Sequence, residues 1–286
     1  MDNDKKTSAD SNRSLKRFLR NKFNLIGGII ILLFLLISIF APVISPHPPN
    51  QVNLKMSLQP PSKTNFFGTD SLGRDVFSRI IHGCSASLIV GLGSVGFSLV
   101  VGSFLGVIAG YFKGSIGIVI MRFMDALWSF PSIILALGIA ASIGPGIKNI
   151  IIAIGITFIP GFARVIYSQV LIVREEVYIK AIKSLGTKTS RLIFWHVLPN
   201  SITPVIVYSS LMAAQAVIAE AGLSFLGIGV IPPRAAWGNM LRDGYIYLGV
   251  APWVSLFPGA AIFLLVLAFN FVGDGLRDVL DVRMTQ

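Results

Sequence analysis

The sequence predicts an all-α integral membrane protein with six transmembrane helices and both termini in the cytosol. Three observations predict it. The 286 residues are 53% hydrophobic and only 13% charged, where a soluble domain carries roughly 25% charged residues. The apolar residues gather into runs of roughly 20 or more, long enough to cross about 30 Å of hydrocarbon. The Lys and Arg residues fall unevenly in the segments that join those runs.

Residues 1–23 are polar and basic, with Lys5, Lys6, Arg13, Lys16, Arg17, Arg20 and Lys22. The first ten or so are expected to be disordered. Residues 14–23 are expected to form an interfacial helix with Leu15, Phe18 and Leu19 toward lipid. The first span is residues 25–44, too long for a signal-peptide core and without a small-residue cleavage site close behind it, so it reads as an uncleaved anchor. Pro42, Pro46, Pro48 and Pro49 are expected to end it. A polar, proline-rich loop follows over 45–85. Further spans are predicted at about 86–111, 120–142, 147–168, 201–226 and 251–273. Pro131 and Pro160 lie inside two of these and are expected to bend them.

With the N-terminus inside, 17 of the 24 Lys and Arg residues fall on the cytosolic side and 7 outside. This is the asymmetry that sets membrane topology. It places the charged segment 178–200 in the cytosol. It also accounts for the net charge of +11 without nucleic acid, because the cations sit beside apolar segments.

Several chemistries have no residues to support them. The single cysteine, Cys84, excludes an intrachain disulfide framework and a multi-cysteine metal site. His47, His82 and His196 lie on three separate segments on opposite sides of the membrane, so they do not form one metal site. No Gly-x-x-x-x-Gly-Lys-Ser/Thr or His-Glu-x-x-His motif occurs, so the chain carries neither a P-loop nor that zinc-protease signature. We expect no catalytic residue, no metal and no cofactor. Gly102, Gly106 and Gly110 are four apart and share one face of the second span. Such a stripe lets helix backbones approach closely, within the chain or against a second membrane subunit.

Segment 178–200 is the most informative. Residues 176–185 suit a short helix with Tyr178, Ala181, Ile182 and Leu185 along one side. Gly186 suits the left-handed position that ends such a helix. Thr187 is placed to cap a second helix toward Val197, and Pro199 to turn the chain into the next span. A solvated basic loop would explain the charges, but not the apolar side, the glycine and the Leu-Pro pair together.

Ala181, Gly186, Leu198 and Pro199 resemble the coupling loop of ABC importer permeases, with Lys180, Ile182 and His196 departing from that pattern. Segment 67–79 (FGTDSLGRDVFSR) is similar to the stretch before the second span of the dipeptide, oligopeptide and nickel permeases. Segments 220–227 (EAGLSFLG), 233–238 (PRAAWG) and 273–278 (GDGLRD) resemble later parts of the same family, in order. The resemblance runs from about residue 15 to 283 and points to the "C" permease, the member with the short first external loop.

The resemblance implies a type I ABC importer permease fold of the methionine-permease (MetI-like) kind in the cytoplasmic membrane. Residues 1–23 would be a cytosolic tail, 24–84 the first helix and external loop, 85–277 the permease core of helices two to six with a coupling loop over 174–200, and 278–286 a cytosolic tail. It implies alternating access for short peptides, with nickel or a metal chelate as the alternative cargo. ATP would be used by two separate ABC ATPase subunits. The other implied partners are a second homologous permease, an extracytoplasmic substrate-binding protein and the surrounding lipid. An ATP-independent secondary transporter is the reading from a different class. Inverted repeats and paired intramembrane charges would favour it.

Some residues carry more specific expectations. Glu220 is a carboxylate in an apolar helix, where such groups usually face a bundle interior or a water-filled cavity. It is assigned to the translocation path or its gating, with a subunit interface or direct substrate contact as alternatives. Asp70, Arg74, Asp75 and Arg79 include opposite charges four apart, as on one helix face. They form either a solvated amphipathic helix or, through Asp70, Arg74 and Asp75, a face for the binding protein. Asp125 is expected to pair locally with Arg122. Asp274, Arg277 and Asp278 cluster at the cytosolic end of the last span, as topology anchors or as part of an ATPase-facing network.

Overall fold

Among the described residues five helices are long and apolar enough to cross a membrane, and a bent helix pair makes a sixth crossing when counted as one span. The computed structural model describes residues 21–112 and 114–284. The disordered segment and most of the interfacial helix expected in the N-terminal tail therefore lie outside the described residues.

The order is α1 (Lys22–Ile44), α2 (Val76–Tyr111), α3 (Ser115–Trp128), α4 (Ser132–Ile143), α5 (Ile147–Val173), α6 (Val177–Ser184) and α7 (Thr189–Leu192). A π-helical turn (Ile193–Val197) leads to α8 (Leu198–Ser201), α9 (Thr203–Phe225), α10 (Trp237–Tyr245) and α11 (Trp253–Met284). Among the described residues no strand is longer than an isolated bridge between Thr69 and Asp75.

Three boundaries differ from expectation for identifiable reasons. The second span begins ten residues before the apolar run, because the Asp75 carboxylate caps α2 by accepting from the Ser78 backbone N–H at 2.8 Å. The third span is not one helix. It breaks at Ser129–Pro131 into α3 and α4, bent by 92°, since proline lacks the N–H that would continue the ladder and disfavours helix in the residue before it. Pro42, Pro160 and Pro258 lie inside α1, α5 and α11 without dividing them. The cytosolic tail expected from residue 278 is helical through Met284.

The core forms around α2 and α5, the most extensively packed helix pair. Here the glycine stripe is used inside the chain. A Cβ at Gly102 would lie 2.8 Å from the Ile159 carbonyl oxygen, one at Gly106 would strike the Ala163 carbonyl, and one at Gly110 would meet Val170 at 2.8 Å. The stripe seats α5, so the expectation of a second-subunit contact does not apply to it. Ser98 ties the pair further by donating to the Gly155 carbonyl at 2.7 Å. α1 is applied from outside. Phe34 packs edge-on against Trp237 at 5.6 Å, while Ile29, Leu32 and Ile39 stay exposed on its far side.

Candidate functional site

α6 has two unlike sides. Ile179 is buried and Ile182 packs against the core, which fixes the helix to the body of the protein. Val177, Tyr178, Ala181 and Leu185 point out, with Leu185 85% exposed. Residues 177, 181 and 185 are each four apart, so their side chains align on one face. Ile182 thus belongs to the inner side rather than the outer, and Val177 takes a place that sequence reasoning missed. The same four-residue spacing would have revealed it.

The helix ends as its sequence dictates. Gly186 has φ +80°, which glycine adopts without the steric cost of a Cβ, and its N–H bonds the Lys183 carbonyl at 3.0 Å. Thr187 does not cap the next helix, because α7 starts at Thr189 with Lys188 in the capping position and no side-chain cap bond. From there the chain is helical through the π turn to Ser201. Leu192 and Val197 are buried, His196 and Leu198 partly buried, and Lys180, Pro199, Phe194 and Trp195 exposed. Burial, then the Glu176 carboxylate, push the Tyr178 hydroxyl above its ordinary value. Arg174 donates to the Gly110 carbonyl, which pins the start of the loop to the cytosolic end of α2.

On the opposite side of the membrane the expected charged helix is absent. Asp70 and Arg74 lie in the loop before α2, Asp75 is the cap, and only Arg79 is helical. All four are buried. Asp70 accepts from Arg74 Nε at 2.6 Å and lies 3.6 Å from Arg79 Nε. Its other oxygen accepts from the Leu72 and Arg74 backbone N–H groups. Asp75 is saturated by Ser78 and by Asn65 at 2.9 Å. Arg79 reaches the Pro49 carbonyl, and Arg74 lies 3.6 Å from Asp243. The assignment of Asp70, Arg74 and Asp75 to a solvent-facing surface is therefore corrected. They organise the external loop and join it to α10.

Glu220 is fully buried. Its two oxygens accept hydrogen bonds of 2.8 Å from Ser87 on α2 and Ser224 on α9. The carboxylate fastens two helices and is enclosed by them. Asp125 finds its close partner across helices in Arg164 at 2.6 Å, with Arg122 at 3.9 Å. Arg164 also lies over the Trp128 ring at 4.7 Å. Among the described residues no group of three His, Cys, Asp or Glu side chains is placed to hold a metal.

Comparison with known proteins matches this architecture. The profile of the binding-protein-dependent transport system inner membrane components matches residues 102–286, and that of the N-terminal transmembrane domain of oligopeptide transport permease C matches residues 12–61. The chain is 45% identical to the dipeptide transport system permease protein of Alkalihalophilus pseudofirmus, over 95% of this chain and 89% of that one. It is 40% identical to the oligopeptide transport system permease protein of Bacillus subtilis, over 95% and 89% respectively. It is 42% identical to a probable D,D-dipeptide transport system permease protein of Escherichia coli, over 90% and 86%. Among solved structures, an inward-facing MetNI methionine ABC transporter chain aligns with TM-score 0.58 and 19% identity, covering 70% of this chain and 96% of that one. At that identity it speaks to the fold alone.

Proposed function

Because the chain belongs to the family of binding-protein-dependent transport system inner membrane components, we propose that it is the permease through which a peptide ABC importer moves its cargo. It is a multi-pass inner membrane protein, and membership of this family implies ATPase and substrate-binding partners. The short-peptide cargo is supported by relatives named for dipeptide and oligopeptide transport, which favours it over the nickel alternative. Family membership likewise speaks against an ATP-independent carrier.

The observation that carries the mechanism is the exposed row Val177, Tyr178, Ala181 and Leu185 on a cytosolic helix whose other side is built into the core. An apolar row held rigidly in water is suited to a partner's groove. The small Ala181 lets that groove approach the backbone. In our reading the groove belongs to an ATPase subunit, and two ATPases grip this chain and a second homologous permease. The chain contributes no ATP site or cofactor of its own. Closure of the ATPases upon ATP binding would pull on α6. Because Ile179 and Ile182 anchor it, the pull would pass into the helix bundle and shift it between two access states.

Purification of the tagged chain from its native membrane, followed by mass spectrometry, tests this reading. We expect a second permease and P-loop ATPases to accompany the wild-type chain. Leu185→Asp should lose the ATPases and keep the second permease. Retention of the ATPases by Leu185→Asp would contradict the assignment of α6.

A further inference from the structure

The bend between α3 and α4 faces α5 and α9 across a cavity of about 580 Å³. Small-ligand sites commonly measure about 300–1,000 Å³. The cavity is a cleft open to one side, with Trp128, Ser129, Ser132 and Gln215 exposed, and its lining is polar for a membrane-spanning region, because Ser129, Ser132, Thr157, Tyr208 and Gln215 all border it. Glu220, the residue that sequence reasoning assigned to the path, is not among them.

Tyr208 and Gln215 lie seven residues apart on α9, two helical turns along one stripe. Gln215 falls about 18 Å from the cytosolic start of that helix, close to its midpoint. The Tyr208 hydroxyl and the Gln215 amide have no hydrogen-bond partner among the described residues. Gly161 of α5 leaves room for the Tyr208 hydroxyl, which a Cβ there would strike. One turn further along α5, Arg164 pairs with Asp125 and lies over the ring of Trp128, which lines the cavity.

An unpaired amide or hydroxyl in hydrocarbon costs several kcal/mol, so these groups must meet water, the second permease or a polar ligand. A glutamine amide both donates and accepts, as does a tyrosine hydroxyl. A peptide main chain offers the complement, one N–H and one C=O for each residue other than proline. We propose that Tyr208 and Gln215 form a station on the translocation path that hydrogen-bonds the main chain of a passing peptide. Such a station is indifferent to side chains, as a carrier of varied peptides requires. For the identity of the ligand, this inference rests on the peptide-importer reading.

The test uses the complete importer in liposomes and cysteine substitutions in this chain. Cys84, the sole native cysteine, is buried, so the parent chain reacts slowly. Gln215→Cys and Tyr208→Cys are compared with Leu32→Cys on the exposed side of α1. The reagent is a charged, water-soluble methanethiosulfonate, and the label is read on this chain after its separation. Because the thiolate is the reactive form and needs water to ionise, the two cavity positions should react at least about ten-fold faster than Leu32→Cys. Dialanine, supplied with binding protein and ATP, should slow them. Gln215→Leu should import dialanine more slowly while ATP hydrolysis continues.

Cavity positions that react as slowly as Leu32→Cys overturn the station whatever the substrate is. Fast labelling without protection, in a complex that does import dialanine, overturns the peptide contact. A wild-type complex that imports no dialanine overturns the peptide reading instead, and the labelling rates still report on the cavity.

Discussion

Ser87 donates a 2.8 Å hydrogen bond to Glu220 across a chain separation of 133 residues, and both side chains are fully buried. The contact joins α2 to α9. Ser224 donates to the second oxygen, so each carboxylate oxygen has a protein donor. Removing it takes the acceptor from two buried hydroxyl donors, although Ser224 Oγ still accepts from the Val230 backbone N–H. Glu220→Ala should lower stability by about 1–3 kcal/mol, seen as a lower thermal midpoint in detergent. Glu220→Gln keeps an acceptor and a donor in place and should stay within about 1 kcal/mol of the parent. Equal midpoints for Glu220→Ala and the parent would remove the fastening role.

Gly106 is a sharper packing test. The atom a Cβ would meet is the Ala163 carbonyl oxygen, part of a helix backbone that cannot swing aside. Gly106→Val should separate α2 from α5 and lower stability by about 1–3 kcal/mol or more. Gly96, on the same helix, has nothing within 4 Å of its Cβ position. Gly96→Ala should be neutral or stabilising by about 0.5–1 kcal/mol. Melting both variants in the same detergent checks the contrast, and similar losses at both positions would count against it.

Asp70 neutralises two buried arginines, with Asp243 lending a more distant charge to Arg74. Asp70→Asn keeps the shape and removes the charge. Leaving the guanidinium groups without their close anion should reduce stability by about 3–5 kcal/mol. The external loop should then become a protease target. Limited proteolysis from the outer side would show cleavage in residues 45–75 of the variant before the parent. Matching cleavage rates would show that the loop is held by other contacts, such as Trp253 on the Thr69 carbonyl.

The sequence made the crossings and their orientation legible because both follow from one-dimensional quantities, namely apolar length and the placement of Lys and Arg. It also showed α6, since a glycine and a four-residue apolar spacing are local signals. What it hid was pairing over distance. Opposite charges four apart fit a helix face, yet Asp70 and Arg74 meet in a loop that folds back on itself. Arg122 is the near neighbour of Asp125, but the close ion pair is made by Arg164, 39 positions away. Pro131 announced a disturbance and gave no angle, because a missing N–H ends a helix without fixing the direction of the next, here 92° away. The cavity at that bend joins four helices, so no single segment could display it.

The most direct measurement is ATP-dependent uptake of labelled dialanine by liposomes containing the wild-type complex or its Leu185→Asp variant, each supplied with binding protein. The exposed position of Leu185 means the variant should fold and insert normally. The account predicts uptake by the wild type that requires ATP, and none above background for Leu185→Asp. Undiminished uptake by Leu185→Asp, or uptake by the wild type without ATP, would contradict it.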